Sequence, residues 1–225
     1  MKRRGAVVLG ALAVVGAVLL GPFVLRAVPF FRVRRVEVVG ARYLAPERIL
    51  AAAELAPDQN LFDPTDAAAR RVAEVPGVVR ARIERRVPGT LRVRVVEREP
   101  AGLVPGREGM TVVDCDAQTL PYDPARAGLA LPIVERADTA LTRALCLVRA
   151  GDAQLYETVD AVRRGSGGSV MLEAGRQRIW LTRTPTLADV HAVAMVRRHL
   201  EAMGRGAAEL DARYRGLVYA RRERT

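Results

Sequence analysis

The sequence predicts an α+β protein with one N-terminal membrane helix, a three-stranded sheet covered by two helices, and a β-rich domain with flanking helices. Three observations carry this reading. An uncharged run of 21 residues opens at Gly5 and closes at Leu25. Short apolar segments with strand and helix periods follow it in the order strand, helix, helix, strand, strand. Past Pro105 the texture changes to short strands and turns, interrupted by two amphipathic helices.

The apolar run, as a helix rising about 1.5 Å per residue, spans roughly 32 Å and matches a hydrocarbon core of about 30 Å. A cleaved signal peptide is the rival reading, but the run ends Leu20-Gly21-Pro22-Phe23-Val24-Leu25, with bulky residues where a small-x-small site is required. A retained anchor is therefore expected, with residues 1–4 as a cytoplasmic tail. Arg26, Arg32, Arg34 and Arg35 outnumber Lys2, Arg3 and Arg4, so a raw count of basic residues favours the opposite orientation. Long domains translocate largely regardless of charge, and the expected topology has the N-terminus in the cytoplasm and the bulk outside.

Residues 30–101 read as one module. Val33, Val36, Val38 and Gly40 mark a first strand, and Pro46 opens a helix burying Ile49, Leu50 and Ala53. A second helix, near residues 65–75, takes its core contacts from Phe62, Ala69, Val72 and Ala73. Pro76-Gly77 stops it, and the period changes from 3.6 to 2. Val79, Ala81 and Ile83 alternate with Arg80, Arg82 and Glu84. After Val87-Pro88-Gly89-Thr90, Leu91, Val93 and Val95 alternate with Arg92 and Arg94. This is an antiparallel hairpin with one apolar and one charged face.

Residues 102–225 form the second domain. Met110 to Val113 leads through Asp114-Cys115-Asp116-Ala117 to Leu120, a hairpin with an Asp-built turn. A helix near residues 139–150 carries Leu141, Ala144, Leu145 and Val148 on one side. A hairpin spans Ala174-Gly175, and a helix near residues 187–203 turns Leu187, Val190, Val193, Ala194, Leu200 and Met203 inward. Glu209 to Tyr214, a bend at Arg215-Gly216, and Leu217 to Arg222 close the chain. A terminal strand of this kind is expected at a sheet edge, where its N–H and C=O groups are open to a partner.

The net charge of +11 comes almost wholly from arginine, since Lys2 is the sole lysine; without the three N-terminal basic residues the remainder still carries +8. The stripe Arg80, Arg82, Arg92 and Arg94 lacks the interleaved aromatics of a single-strand nucleic-acid platform. It reads as a solvated sheet face, with attraction to anionic lipid or wall polymer as the functional alternative. His191 and His199, eight apart on one helix, stand about 80° apart around its axis without zincin spacing. Ser166 and Ser169 lie in a glycine loop with no nucleophile elbow. Asp114 and Asp116 supply too few oxygens for calcium, and Gly204-Arg205-Gly206 is a helix stop. No catalytic, metal or cofactor-binding constellation emerges, and a non-enzymatic protein is expected. Cys115 and Cys146 are open to two arrangements: a bridge, allowed outside the membrane, or two thiols with Cys146 on the inward side of its helix.

Residues 31–40 (FRVRRVEVVG), Gln59-Asn60-Leu61-Phe62, Val75-Pro76-Gly77-Val78-Val79, Pro88-Gly89-Thr90-Leu91 and Val96-Glu97-Arg98-Glu99-Pro100 together resemble the POTRA domain of bacterial envelope proteins. With Asp211, Arg213, Tyr214 and Gly216 near the C-terminus, nearly the whole chain resembles the FtsQ/DivIB family of bitopic division proteins. That resemblance implies a divisome scaffold in the cell membrane at the septum, with FtsB and FtsL type partners. It also implies a partner surface of Arg213, Tyr214, Gly216, Leu217, Val218 and Tyr219. Ala212 replaces the family's Leu, Ala117 stands at a hairpin position where the family has Gly, and the four-residue tail is far shorter than usual, so cytoplasmic contacts do not carry over. The competing reading is a POTRA-containing envelope chaperone or transport accessory, which usually carries repeated modules or a barrel.

Overall fold

The computed structural model describes residues 29–107, 109–125 and 130–222. The anticipated membrane helix and the cytoplasmic tail lie outside the described residues. Among those described, no helix is long and apolar enough to cross a membrane. The chain divides into two compact units between Glu97 and Arg98.

In the first unit β1 (Arg35–Val39), β2 (Val78–Arg86) and β3 (Thr90–Glu97) form a sheet in the order β1-β3-β2, with β1 parallel and β2 antiparallel to β3. Two helices, α1 (Pro46–Ala53) and α2 (Asp66–Ala73), pack with it around Ile49, Ala53, Leu61, Val72, Leu91, Val93 and Val95. Pro46 starts α1 where its missing N–H costs nothing. Arg71 of α2 closes the other end of α1 by donating to the Ala53 carbonyl at 2.7 Å. The Glu97 side chain is buried and accepts from the N–H groups of Arg42, Tyr43 and Leu44 at 2.8, 2.8 and 2.9 Å. It thereby ties the loop after β1 to the end of β3. Gly40 sits in that loop at φ 91°, and a Cβ there would come within 2.2 Å of the Val95 carbonyl oxygen.

Several inward residues differ from the sequence expectation. Leu50 is exposed on α1, and α2 buries Ala68 with Val72 while Ala73 faces out. Val33 lies ahead of β1. Val79 is 57% exposed because the register slips between Val78 and Arg80, and Val78 takes the buried place. The inserted residue turns its side chain away from the core. On the charged face Arg92 pairs with Glu37 and Arg94 with Glu84, each at 2.9 Å, and the Arg94 hydrogen bond holds Glu84 below its usual pKa.

The second unit is one nine-stranded sheet. Its strands are β4 (Gly102–Gly106), β5 (Gly109–Val113), β6 (Thr119–Leu120), β7 (Ile133–Val134), β8 (Ala161–Arg164), β9 (Val170–Ala174), β10 (Gln177–Leu181), β11 (Glu209–Tyr214) and β12 (Leu217–Arg221). The spatial order is β12-β11-β10-β9-β8-β7-β4-β5-β6. Three helices, α3 (Thr139–Gly151), α4 (Ala153–Thr158) and α5 (Leu187–Ala202), connect the strands. Leu141, Leu145 and Val148 of α3 and Val190 and Val193 of α5 share one core with Val162, Leu172, Ile179, Leu181 and Leu210 of the sheet. Leu187 and Met203, expected inward, are 45% and 44% exposed because they lie at and beyond the ends of α5. A capping box begins α5: the Thr186 hydroxyl accepts from Asp189 N–H, and the Asp189 carboxylate accepts from Thr186 N–H.

Asp114 builds the β5–β6 turn, its Oδ1 accepting from the N–H groups of Asp116 and Gln118 at 2.9 and 2.8 Å. Ala117 adopts φ 59° there, a conformation a glycine enters without a Cβ penalty. A disulfide joins Cys115 in this turn to Cys146 on α3, which decides between the two arrangements open to the cysteines.

Candidate functional site

The end of the sheet made by β10, β11 and β12 brings most of the sequence-predicted residues together. Leu210 and Ala212 of β11 are buried toward the helices, so Glu209 and Asp211 project from the opposite face. Parallel pairing sets Trp180 of β10 beside Asp211, and antiparallel pairing sets Tyr219 of β12 on its other side. One row across three strands is therefore Trp180, Asp211 and Tyr219. The row beneath is Arg178, Glu209 and Arg221, with Glu209 3.8 and 3.7 Å from the two guanidinium groups.

Between Asp211 and Tyr214 the register slips, so that Ala212 and Arg213 together oppose Val218. This bulge lets Arg213 fold back along its own strand. Its Nε and Nη2 donate to the two carboxylate oxygens of Asp211 at 2.9 and 2.6 Å, and its guanidinium lies 5.0 Å from the centre of the Trp180 ring. The Arg213 hydrogen bond lowers the Asp211 pKa, and Asp211 raises that of Arg213. The bulge also brings Tyr214 onto the outward face, where it meets the Tyr219 ring edge to face at 5.5 Å. Tyr214, Leu217 and Tyr219 are 56%, 55% and 55% exposed, a compact apolar and aromatic patch beside an open strand edge.

Gly216 occupies the turn at φ 73°, the position where a two-residue connection needs a left-handed residue. Val218 is placed differently from its companions: its side chain is half-buried against the core. It belongs to the surface through its main chain. The Arg221 carbonyl accepts from Ala208 N–H at 3.0 Å, so the Arg221 peptide points into the sheet. Alternation along the strand then turns the main-chain groups of Val218 and Ala220 to the open side.

Trp180, Glu209 and Arg221 complete the patch and are absent from the sequence-derived set. Trp180 sits 31 residues before Asp211, and only the parallel register between β10 and β11 makes them neighbours. The arrangement offers outward-pointing main-chain groups, two tyrosines in edge-to-face contact and a fixed ion pair, features that suit strand addition. Among the described residues no three His, Cys, Asp or Glu side chains are grouped to hold a metal ion.

Residues 31–98 match the family described as the POTRA domain, FtsQ-type. The cell division protein FtsQ of Corynebacterium glutamicum is 28% identical over 190 residues, an alignment covering 80% of this chain and 83% of the relative.

Proposed function

We propose, from the premise that this chain belongs to the FtsQ/DivIB family of bacterial cell division proteins, that it is a non-enzymatic scaffold of the division machinery. In this reading residues 5–25 anchor it in the cytoplasmic membrane, residues 30–101 are the POTRA domain near the bilayer, and residues 102–225 are the partner-binding domain outside. The partners are FtsB and FtsL type proteins, and the contact is a strand added to β12 during septum formation.

One observation carries the reading. The last strand of the chain is the free edge of a nine-stranded sheet, and the exposed side chains beside it are Tyr214, Leu217 and Tyr219. Main-chain hydrogen bonds along such an edge supply affinity, while side chains in register supply specificity. Tyrosine is a frequent interface anchor because it buries a large rigid surface with little loss of rotamer freedom.

The test combines location and capture. A fluorescent fusion of the full chain should gather at midcell, and depletion should give filamentous cells. Replacing Tyr214 and Tyr219 together by Ala should reduce co-purification of the FtsB–FtsL type pair at least tenfold while the protein stays folded. Depletion that leaves division intact but strips outer-membrane proteins would favour the envelope-chaperone reading instead.

A further inference from the structure

The β2–β3 turn and the segment entering β1 meet at one end of the first unit. The Gly89 carbonyl accepts from the N–H groups of Arg34 and Arg35 at 2.8 and 3.2 Å. A Cβ on Gly89 would come within 2.6 Å of the Arg32 carbonyl oxygen, so the turn is pressed against the entering chain. Phe31 packs edge to face on Phe62 at 5.1 Å, whereas Phe30 remains 55% exposed and Val87, at the turn, 67% exposed. Arg32, Arg34, Arg35 and Arg86, all exposed, flank these two apolar side chains along the two segments that meet at Gly89. Among the described residues none of the four forms an ion pair within 4 Å, although Arg86 lies close enough to Glu84 to help lower its pKa.

The chain length limits how far this end stands from the bilayer. If residues 5–25 span the membrane, Pro29 follows Leu25 by four residues and lies within about 14 Å of it even when fully extended. The headgroup layer on each side of the hydrocarbon is itself roughly 5 to 8 Å deep. Exposed apolar side chains flanked by arginines match such an interface, in which rings and aliphatic groups enter the acyl boundary and cations meet lipid phosphates.

We propose that this end, formed by Phe30, Val87, Arg32, Arg34, Arg35 and Arg86, docks on an anionic phospholipid surface and fixes the POTRA domain against the membrane. The inference rests on the membrane-anchor reading given above. It assigns a use to the basic residues that follow the apolar run and that run against the simple charge rule for topology.

The full chain with Val87→Trp is reconstituted into vesicles of phosphatidylcholine alone or of an even mixture with phosphatidylglycerol. Headgroup-region nitroxide lipids serve as quenchers, the unsubstituted chain gives the Trp180 background, and Phe30→Trp is a second reporter. Quenching at position 87 should be several-fold stronger in the mixed vesicles. Replacing the four arginines by Gln should return it to the neutral-lipid level, since each basic side chain near such a surface contributes roughly a fivefold gain in binding. Reporters that stay unquenched, or that are quenched equally in both lipids, overturn the proposal. Flotation of the chain with vesicles at alkaline pH separates the two readings: a chain that fails to float removes the anchor and the docking together. One that floats with unquenched reporters removes only the docking.

Discussion

Arg213 and Asp211 grip each other within one strand, with both guanidinium contacts under 3 Å, while the same guanidinium lies over the Trp180 ring on the neighbouring strand. Alternation sets the two residues on one face of the strand, and the bulge at Ala212 and Arg213 brings Tyr214 onto that same face. A partner meeting β12 would thus find the Arg213 charge already neutralised and held. In the proposed strand addition its part would be to set the shape of the surface on which Tyr214 and Tyr219 stand, more than to reach out.

The ion pair predicts an acid-dependent stability. The Asp211 pKa is depressed in the folded protein, chiefly by the Arg213 hydrogen bond. Its contribution is therefore complete above the unfolded carboxylate value near 3.9 and is lost as pH falls through the lower folded value. Asp211→Asn should destabilise the second unit by about 1.5 to 3 kcal/mol at neutral pH, the range of a hydrogen bond to a charged group. Urea midpoints measured at neutral and acid pH check this: the gap between parent and variant should narrow in acid. A gap that is constant with pH would mean the carboxylate charge is not its source.

What the sequence makes legible follows physical range. Local periods locate the longer helices and most strands, while α4 and β4 are too short and weakly patterned to be read; Pro46, Pro76-Gly77 and Gly216 punctuate the chain where the structure has helix starts, stops and turns. Register is a longer-range property. The slip in β2 exchanges Val79 for Val78 in the core, and alternation alone holds no sign of it. The bulge in β11 likewise puts Tyr214 with Tyr219, while Val218 faces the helices. Trp180 enters the surface through a parallel pairing whose intervening chain includes all of α5. The disulfide belongs to the same class, since sequence spacing leaves the distance between two sulfurs open.

Glu97 should prove indispensable to the first unit. Removing its carboxylate leaves the N–H groups of Arg42, Tyr43 and Leu44 without their acceptor in a part-buried loop. Glu97→Ala should cost about 2 to 4 kcal/mol, each orphaned buried donor being worth roughly 1 kcal/mol or more. Glu97→Gln, which keeps an acceptor oxygen, should cost less. Amide hydrogen exchange in residues 41–45 gives the specific readout, with faster exchange in both variants and the larger change in Glu97→Ala.

Cys115 and Cys146 close a loop with a sequence separation of 31. Their bridge ties the Asp114 turn to α3 and shortens the unfolded ensemble. Loss of the bridge is expected to reduce stability by about 3.7 kcal/mol on a chain-entropy account. The native protein should resist thiol alkylation without reductant, accept two labels with it, and unfold at lower temperature after reduction. Two thiols labelled in the native, non-reduced protein would refute the bridge.

Strand addition at β12 makes a prediction that separates main chain from side chain. Alternation directs the Val218 and Ala220 amides to the open edge, but Val218 also packs on the core whereas Ala220 is exposed. A proline has no N–H to donate and is tolerated at an edge strand where that N–H faces solvent. Ala220→Pro should therefore leave thermal stability within about 0.5 kcal/mol of the parent and still lower affinity for an added strand at least tenfold, one or more hydrogen bonds being lost at the interface. Val218→Pro should lower affinity too, at a visible cost in stability, because its side chain belongs to the core. Surface plasmon resonance with the purified FtsB–FtsL type pair, run alongside thermal unfolding, measures both quantities. Undiminished binding by Ala220→Pro would rule out main-chain pairing at that position and shift the interaction to the tyrosine face alone.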